Sequence, residues 1–147
     1  MALTGEASSE IDAPIERVWA LIDDITTIAS WQDGVLGVTV HETDEEGRVV
    51  VAEVLNDAKV RKLSSRVRFT REAPTRLSWV QEAGDLKAVH GSWTLEDLGE
   101  GRTRATYAIE ADFGRLLGRL ITGPLEAAVR PMLVGGRPGE LKRLAEG

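Results

Sequence analysis

Cysteine is absent from this sequence of 147 residues, and histidine occurs only twice. Disulfide bonds, thiolate nucleophiles and cysteine-based zinc sites are therefore excluded. Two histidines without a paired carboxylate spacing predict no metal site. No glycine-rich phosphate-binding loop follows a predicted strand. The sequence therefore predicts no cofactor.

An excess of basic charge and a long apolar run are also missing. Lysine and arginine total 18 against 24 acidic residues, for a net charge of −6. Nucleic-acid binding needs clustered positive charge, so we expect no nucleic-acid partner. No run approaches the roughly 18 apolar residues that a membrane span requires. The first residues have neither a basic stretch nor an apolar core of a secretory signal, which predicts a cytoplasmic protein.

A short helix and a second, shorter one are predicted after a first strand at 5–11. Pro14 suits the first turn of a helix, because its fixed φ is already helical. An apolar stripe at helical spacing follows, formed by Ile15, Val18, Trp19 and Ile22. The first helix is predicted to end at Asp23-Asp24. Thr26 is predicted to cap the second, which would extend to about Gln32.

Six segments rich in β-branched residues then follow in succession, separated by short turn-like stretches. Short connections between successive strands are typical of an antiparallel meander. In the segment 48–57 both faces are apolar, so its inward face stays open. The predicted strands are 35–42, 48–57, 60–70, 75–82, 85–97 and 102–112.

Helical spacing of apolar residues returns from about Arg115 and predicts a long C-terminal helix. Pro124, Pro131 and the Gly135-Gly136 pair interrupt the pattern, which predicts a kinked helix that breaks near these glycines. Its apolar face comprises Leu117, Leu120, Ile121, Leu125, Ala128, Met132, Leu141 and Leu144. The order of elements predicts one α+β domain over 1–147, in which a seven-stranded antiparallel sheet packs against this helix.

Three motifs carry a resemblance to a known family: "IDAPIERVWALIDD" at 11–24, Trp31, and "GSWTLEDLGEGRTRATY" at 91–107. The chain resembles the START-like (SRPBCC, helix-grip) superfamily, most of all its polyketide cyclase/dehydrase and lipid-transport branch. The resemblance spans about 5–146. It implies a curved sheet around the C-terminal helix, an apolar cavity between them, and a helix pair that closes the cavity near Trp31.

Strand alternation selects the side chains that would face such a cavity. Large rings and small side chains alternate along the inner face, which can leave space that an ordinary core would fill. For Trp79 and Trp93, core packing is the alternative. The predicted ligand-binding residues are Trp31, Ser65, Val67, Phe69, Trp79, Gln81, Trp93, Tyr107, Leu117 and Ile121.

Tyr107 is the main polar group predicted on the inner face. A buried phenol needs a hydrogen-bonding partner, and Ser65 or Gln81 are the expected ones. His41 and His90 both fall on the predicted outer face, where they cannot act as acid or base in the cavity. No catalytic dyad or triad is recognisable, so catalytic residues stay unassigned.

Three functions remain open at this point. The first is binding of a hydrophobic small molecule such as a lipid, quinone or polyketide-like compound. The second is an enzyme, a polyketide aromatase/cyclase or dehydrase acting in the same cavity. The third is an interaction module, which predicts a filled interior. The oligomeric state is open as well, with a homodimer as one option.

Overall fold

Seven strands form one curved antiparallel sheet in this computed structural model. The strands are β1 (Ala2–Ile11), β2 (Val35–Thr43), β3 (Val49–Asp57), β4 (Lys62–Glu72), β5 (Arg76–Gly84), β6 (Ala88–Gly99) and β7 (Arg102–Asp112). Their order across the sheet is β1-β7-β6-β5-β4-β3-β2. The predicted meander from β2 to β7 is confirmed, and β1 pairs with β7, so that the two ends of the strand sequence are neighbours.

The structure describes residues 2–59, 61–115, 119, 123–124, 127, 130 and 135–147. Most of the predicted long helix between 116 and 134 lies outside these residues. Leu117 and Ile121, two of the predicted ligand-binding residues, are among those not described.

Two short helices lie between β1 and β2, as predicted. Helix α1 covers Ile15–Asp23 and buries the predicted apolar stripe. A 3-10 turn at Ile25–Thr27 leads into α2, Ile28–Trp31. The predicted cap at Thr26 is wrong, because the Asp24 carboxylate accepts hydrogen bonds from both the backbone N–H and the hydroxyl of Thr26. The cap therefore lies two residues earlier, at Asp24, and Thr26 donates to it.

Helix α3, Arg137–Glu146, begins directly after the predicted break at Gly135-Gly136. Leu141 and Ala145 bury its apolar side in the main core. Arg17 of α1 donates through Nε to the carbonyl oxygen of Ala145 at 2.9 Å, and Lys142 donates to the carbonyl oxygen of Glu10 at 2.9 Å. These bonds hold α3 against α1 and β1.

Strand alternation positions the inner face of the sheet. In β4, Leu63, Ser65, Val67 and Phe69 are buried, whereas Lys62, Arg66 and Arg68 are exposed, as predicted. The open question about β3 is answered by its pairing with β4: Ala52 lies opposite Val67, and Val54 lies opposite Ser65. Ala52 and Val54 therefore belong to the inner face.

No helix in the described part of the chain is long and apolar enough to cross a membrane.

Candidate functional site

A cavity of about 120 Å³ lies against the inner face of the sheet. All six strands from β2 to β7 contribute side chains to its wall, and α1 and α2 close it at one end with Ile22, Ile28 and Trp31. Helix α3 contributes its first residue, Arg137. The described wall is mostly apolar and aromatic, which is typical of a site for a small organic ligand.

Seven of the ten predicted ligand-binding residues border this cavity. They are Trp31, Ser65, Val67, Phe69, Trp79, Trp93 and Tyr107. Gln81 is not among the described lining residues. Its amide oxygen accepts from the Ser65 hydroxyl at 2.7 Å, and its amide nitrogen donates to the Leu86 carbonyl oxygen at 2.9 Å. Gln81 thus provides the hydrogen-bond acceptor for Ser65, which borders the cavity, and links β4 to the β5–β6 turn.

Five aromatic rings form a continuous series along the wall. The ring centroids of Trp31 and Trp93 are 6.5 Å apart, and Trp93 meets Tyr107 edge-on at 4.8 Å. Tyr107 is 5.6 Å from Trp79, and Trp79 is 6.3 Å from Phe69. Tilted and edge-on contacts of this kind stabilise rings beyond the area they bury. The rings therefore support one another along the wall.

Gly91 creates the space in which one of these rings lies. A Cβ atom added at Gly91 would lie 2.7 Å from a ring carbon of Trp79 and 2.9 Å from the backbone oxygen of Ala108. Gly91 pairs directly with Trp79 across β5 and β6. The missing side chain on one strand therefore leaves room for the indole on the next.

Tyr107 is buried, and its partner differs from the expected ones. Ser65 and Gln81 bond to each other, whereas the Arg137 guanidinium is the charged group that acts on the Tyr107 phenol. Burial raises the pKa of the Tyr107 phenol, and the nearby positive charge of Arg137 opposes that rise. The phenol therefore stays protonated at neutral pH and can donate a hydrogen bond.

A buried ion pair joins α3 to the loop after α2. Arg137, 2% exposed, donates from Nη1 to the Glu140 carboxylate at 2.9 Å and to the carbonyl oxygen of Asp33 at 2.8 Å. Glu140, 9% exposed, accepts from the backbone N–H of Asp33 through its other oxygen. Neither residue was predicted at the site, because the "GGRPG" stretch predicted only a helix break. Their i, i+3 spacing at a helix start was the available signal.

Two buried donors at this end lack a partner among the described residues. They are the indole Nε1 of Trp31 and the guanidinium Nε of Arg137. Buried polar groups are nearly always hydrogen-bonded, so two unpaired donors beside one cavity are unusual.

The opposite end of the cavity is apolar. Leu63, Val89, Ala111 and Phe113 border it and belong to a second buried cluster that also includes Leu3 and Ala58. At its rim, Asp57 accepts a hydrogen bond from the backbone N–H of Lys59 through its carboxylate.

The two histidines lie away from the cavity, as predicted. His90 is exposed, with Nε2 3.0 Å from the Glu110 carboxylate. His41 is also exposed and lies 3.8 Å from Glu53. The ionisable groups among the described lining residues are Asp57, Tyr107 and Arg137. No histidine is therefore available in the described wall for acid–base chemistry.

Solved structures share this fold at low sequence identity. The Zhui aromatase/cyclase from a Streptomyces species aligns with a TM-score of 0.80 at 16% identity, covering 99% of this chain and 94% of that one. A START superfamily protein from Mycobacterium smegmatis aligns with a TM-score of 0.77 at 14% identity, covering 96% and 98%. A Thermus thermophilus protein aligns with a TM-score of 0.77 at 21% identity, covering 98% and 95%.

None of the curated proteins matches this sequence. A family model described as "Polyketide cyclase / dehydrase and lipid transport" matches residues 2–146, which is nearly the whole chain. The chain therefore belongs to the polyketide cyclase/dehydrase and lipid transport family.

Proposed function

We propose that this protein binds a hydrophobic small molecule, such as a lipid, quinone or polyketide-like compound, in the cavity under its sheet. The observation that carries the proposal is a cavity of about 120 Å³ with a mostly apolar and aromatic wall. Membership of a lipid-transport family supports it. The open space disfavours a pure interaction module, for which a filled interior is expected.

The proposed ligand contacts are the predicted residues, with Trp31, Trp79, Trp93 and Tyr107 as the main ones. The residues that line this cavity come from most of the chain, from Ile22 to Arg137. This supports a single ligand-binding domain over 1–147. A ligand that buries about 300 Å² of apolar surface gains roughly 7 kcal/mol at about 25 cal/mol/Å². Ordering and association offset a large part of that gain.

Native mass spectrometry of the protein purified from its own cells tests this proposal. We expect a bound small molecule of constant mass, which a Trp93→Ala variant loses or retains only weakly. Trp93 is fully buried between Trp31 and Tyr107, so this change removes the centre of the aromatic wall. A protein that stays free of small molecules after purification and after exposure to a lipid extract would contradict the proposal.

An enzyme acting in the same cavity is the second candidate. The protonated phenol of Tyr107 beside the Arg137 guanidinium favours it, because paired donors can polarise a carbonyl group. The described wall contains no histidine, and Asp57, its one carboxylate, lies at the apolar end, so the general base is unassigned.

Two single variants separate binding from catalysis. In a binding protein, Trp93→Ala weakens the ligand and Tyr107→Phe has a smaller effect. In an enzyme, Tyr107→Phe abolishes turnover of a poly-β-ketone substrate while the substrate still binds. Wild-type protein that leaves such a substrate unchanged argues against the enzyme.

A further inference from the structure

We propose that Trp31, Tyr107 and Arg137 form a hydrogen-bonding subsite for an uncharged carbonyl oxygen at one end of the cavity. The ligand would then be an amphipathic molecule with a neutral carbonyl group at this end and an apolar body directed toward Leu63 and Phe113. This inference rests on the proposed function, since it names the ligand class of the same cavity.

Two hydrogen-bond donors at this end of the cavity are unpaired among the described residues. Trp31 Nε1 and Arg137 Nε are buried and have no acceptor in the described part of the chain. Leaving a buried donor unpaired destabilises a protein, and a charged donor more than a neutral one. An acceptor atom of a ligand in the adjoining cavity would remove this cost. Binding would thus supply the acceptor that these two donors lack among the described residues.

The three donors lie at the same end of the cavity. Arg137 bonds to the carbonyl oxygen of Asp33, two residues after Trp31, and its charge acts on the Tyr107 phenol. Trp93 contacts the rings of both Trp31 and Tyr107, with centroid distances of 6.5 and 4.8 Å. All three donor residues border the cavity. A carbonyl oxygen has two lone pairs, so it can accept from two of them at once.

The charge of Arg137 is already balanced, and this selects for a neutral ligand. The Glu140 carboxylate lies 2.9 Å from Nη1, and both residues are almost completely buried. A carboxylate ligand would add a second negative charge next to Glu140, and the described wall has no cation besides Arg137 to match it. Burying an unmatched charge costs far more than burying a carbonyl group that is hydrogen-bonded. The subsite therefore favours a ketone or quinone oxygen over a fatty-acid carboxylate.

The far end of the cavity fixes the direction of the ligand. Leu63, Val89, Ala111 and Phe113 border it with apolar side chains, and Asn56 and Asp57 are the polar lining residues next to Leu63. An apolar body gains free energy against the four apolar side chains, which offer a carbonyl group no hydrogen bond in place of water.

Three probes of equal chain length test the proposal on the whole protein: methyl nonyl ketone, undecane and undecanoate. We expect the ketone to bind about tenfold more tightly than undecane, which corresponds to about 1.4 kcal/mol for its hydrogen bonds. Undecanoate should bind more weakly than the ketone. The infrared carbonyl band of bound, isotope-labelled ketone should lie at a lower frequency than in hexane, because hydrogen bonds weaken the C=O bond.

Matched variants assign the effect to the subsite. Trp31→Phe keeps an aromatic ring but removes the indole N–H, and should weaken ketone binding about three- to tenfold. The affinity for undecane should stay nearly constant, and the carbonyl band should move toward its hexane position. Trp79→Phe is the control, since it trims the wall without removing a donor of the subsite. It should weaken the ketone and undecane to the same extent.

Each outcome decides between the two proposals. A ketone that binds with its carbonyl band at the hexane position overturns the subsite but leaves the cavity function intact. The same holds if undecanoate binds as the carboxylate more tightly than the ketone. If none of the three probes binds, the proposed function fails and the subsite fails with it.

Discussion

The two ends of the cavity are built on the same sheet but held together by different interactions. At the end near α2 and α3, a buried ion pair, a phenol and two donors that have no partner among the described residues surround the space. At the other end, Leu63, Val89 and Phe113 enclose it mainly through apolar contacts. The first end combines residues from three distant segments, whereas the second follows from strand alternation.

The two ends should therefore respond differently to substitution. Apolar contacts are non-directional, so loss of a few methylene groups lowers stability by an amount that follows the area and volume removed. A buried ion pair is directional, and removal of one partner leaves the other charge uncompensated. Substitutions at the polar end should therefore lower stability more than substitutions at the apolar end.

The largest effect is expected from Glu140→Leu at the polar end. It leaves the Arg137 guanidinium buried without its carboxylate, and should lower the free energy of unfolding by about 3–5 kcal/mol. Urea denaturation measures the change. Glu96→Gln, which breaks an exposed ion pair with Arg104, is the control and should cost at most about 1 kcal/mol. Equal effects of the two variants would contradict a larger contribution of the buried pair to the free energy of unfolding.

Leu63→Ala tests the apolar end. Leu63 is buried in the second cluster, and its truncation should cost about 2–3 kcal/mol, the lower part of the usual range, because the site already borders open space. The same urea experiment applies. Leu36→Ala, at a side chain that is 47% exposed, should change stability by less than about 0.5 kcal/mol. A loss at Leu63 larger than at Glu140 would reverse the comparison.

Gly91→Ala tests the wall between the two ends. The added methyl group would overlap the Trp79 indole and should destabilise the protein by about 1–3 kcal/mol. If the indole causes most of that cost, the same substitution should be milder in a Trp79→Leu background. Equal costs in both backgrounds would instead point to the contact with the backbone oxygen of Ala108.

The smallest effect is a pH dependence at the polar end. Burial raises the pKa of Tyr107 in the folded protein, so the folded state keeps its proton at a pH where the unfolded state has lost it. This contribution to stability is complete below about pH 10 and declines as pH rises further. Tyr107 is the single tyrosine of the sequence, so its phenolate absorbance reports this group alone.

We expect the phenolate band to appear above pH 10 in the folded protein and near its ordinary pKa in denaturant. Tyr107→Phe should flatten the decline of stability at alkaline pH. Titration of the folded protein at the ordinary pKa would contradict the burial of this phenol.

Periodicity in the sequence predicted the framework closely. The stripe from Ile15 to Ile22 is the buried side of α1, and the alternation from Leu63 to Phe69 is the inner face of β4. Six of the predicted ligand-binding residues that border the cavity lie on strands, where alternate side chains must share a face. Local spacing is sufficient for such conclusions, since burial of an apolar face requires no particular partner.

The sequence did not predict which polar groups interact with each other. Ser65 and Gln81 bond to each other while Arg137 lies beside the Tyr107 phenol, and Asp24 rather than Thr26 caps the turn. The inward face of β3 also required the observed pairing with β4.

The sequence by itself therefore determined the order of elements, the inner face of most strands and the chemical character of the wall. Only the tertiary structure brought residues 33, 107 and 137–140 together at one end of the cavity. The physical reason is range: hydrophobic patterning acts on neighbours along the chain, whereas a hydrogen bond needs two groups within about 3 Å, wherever the fold places them.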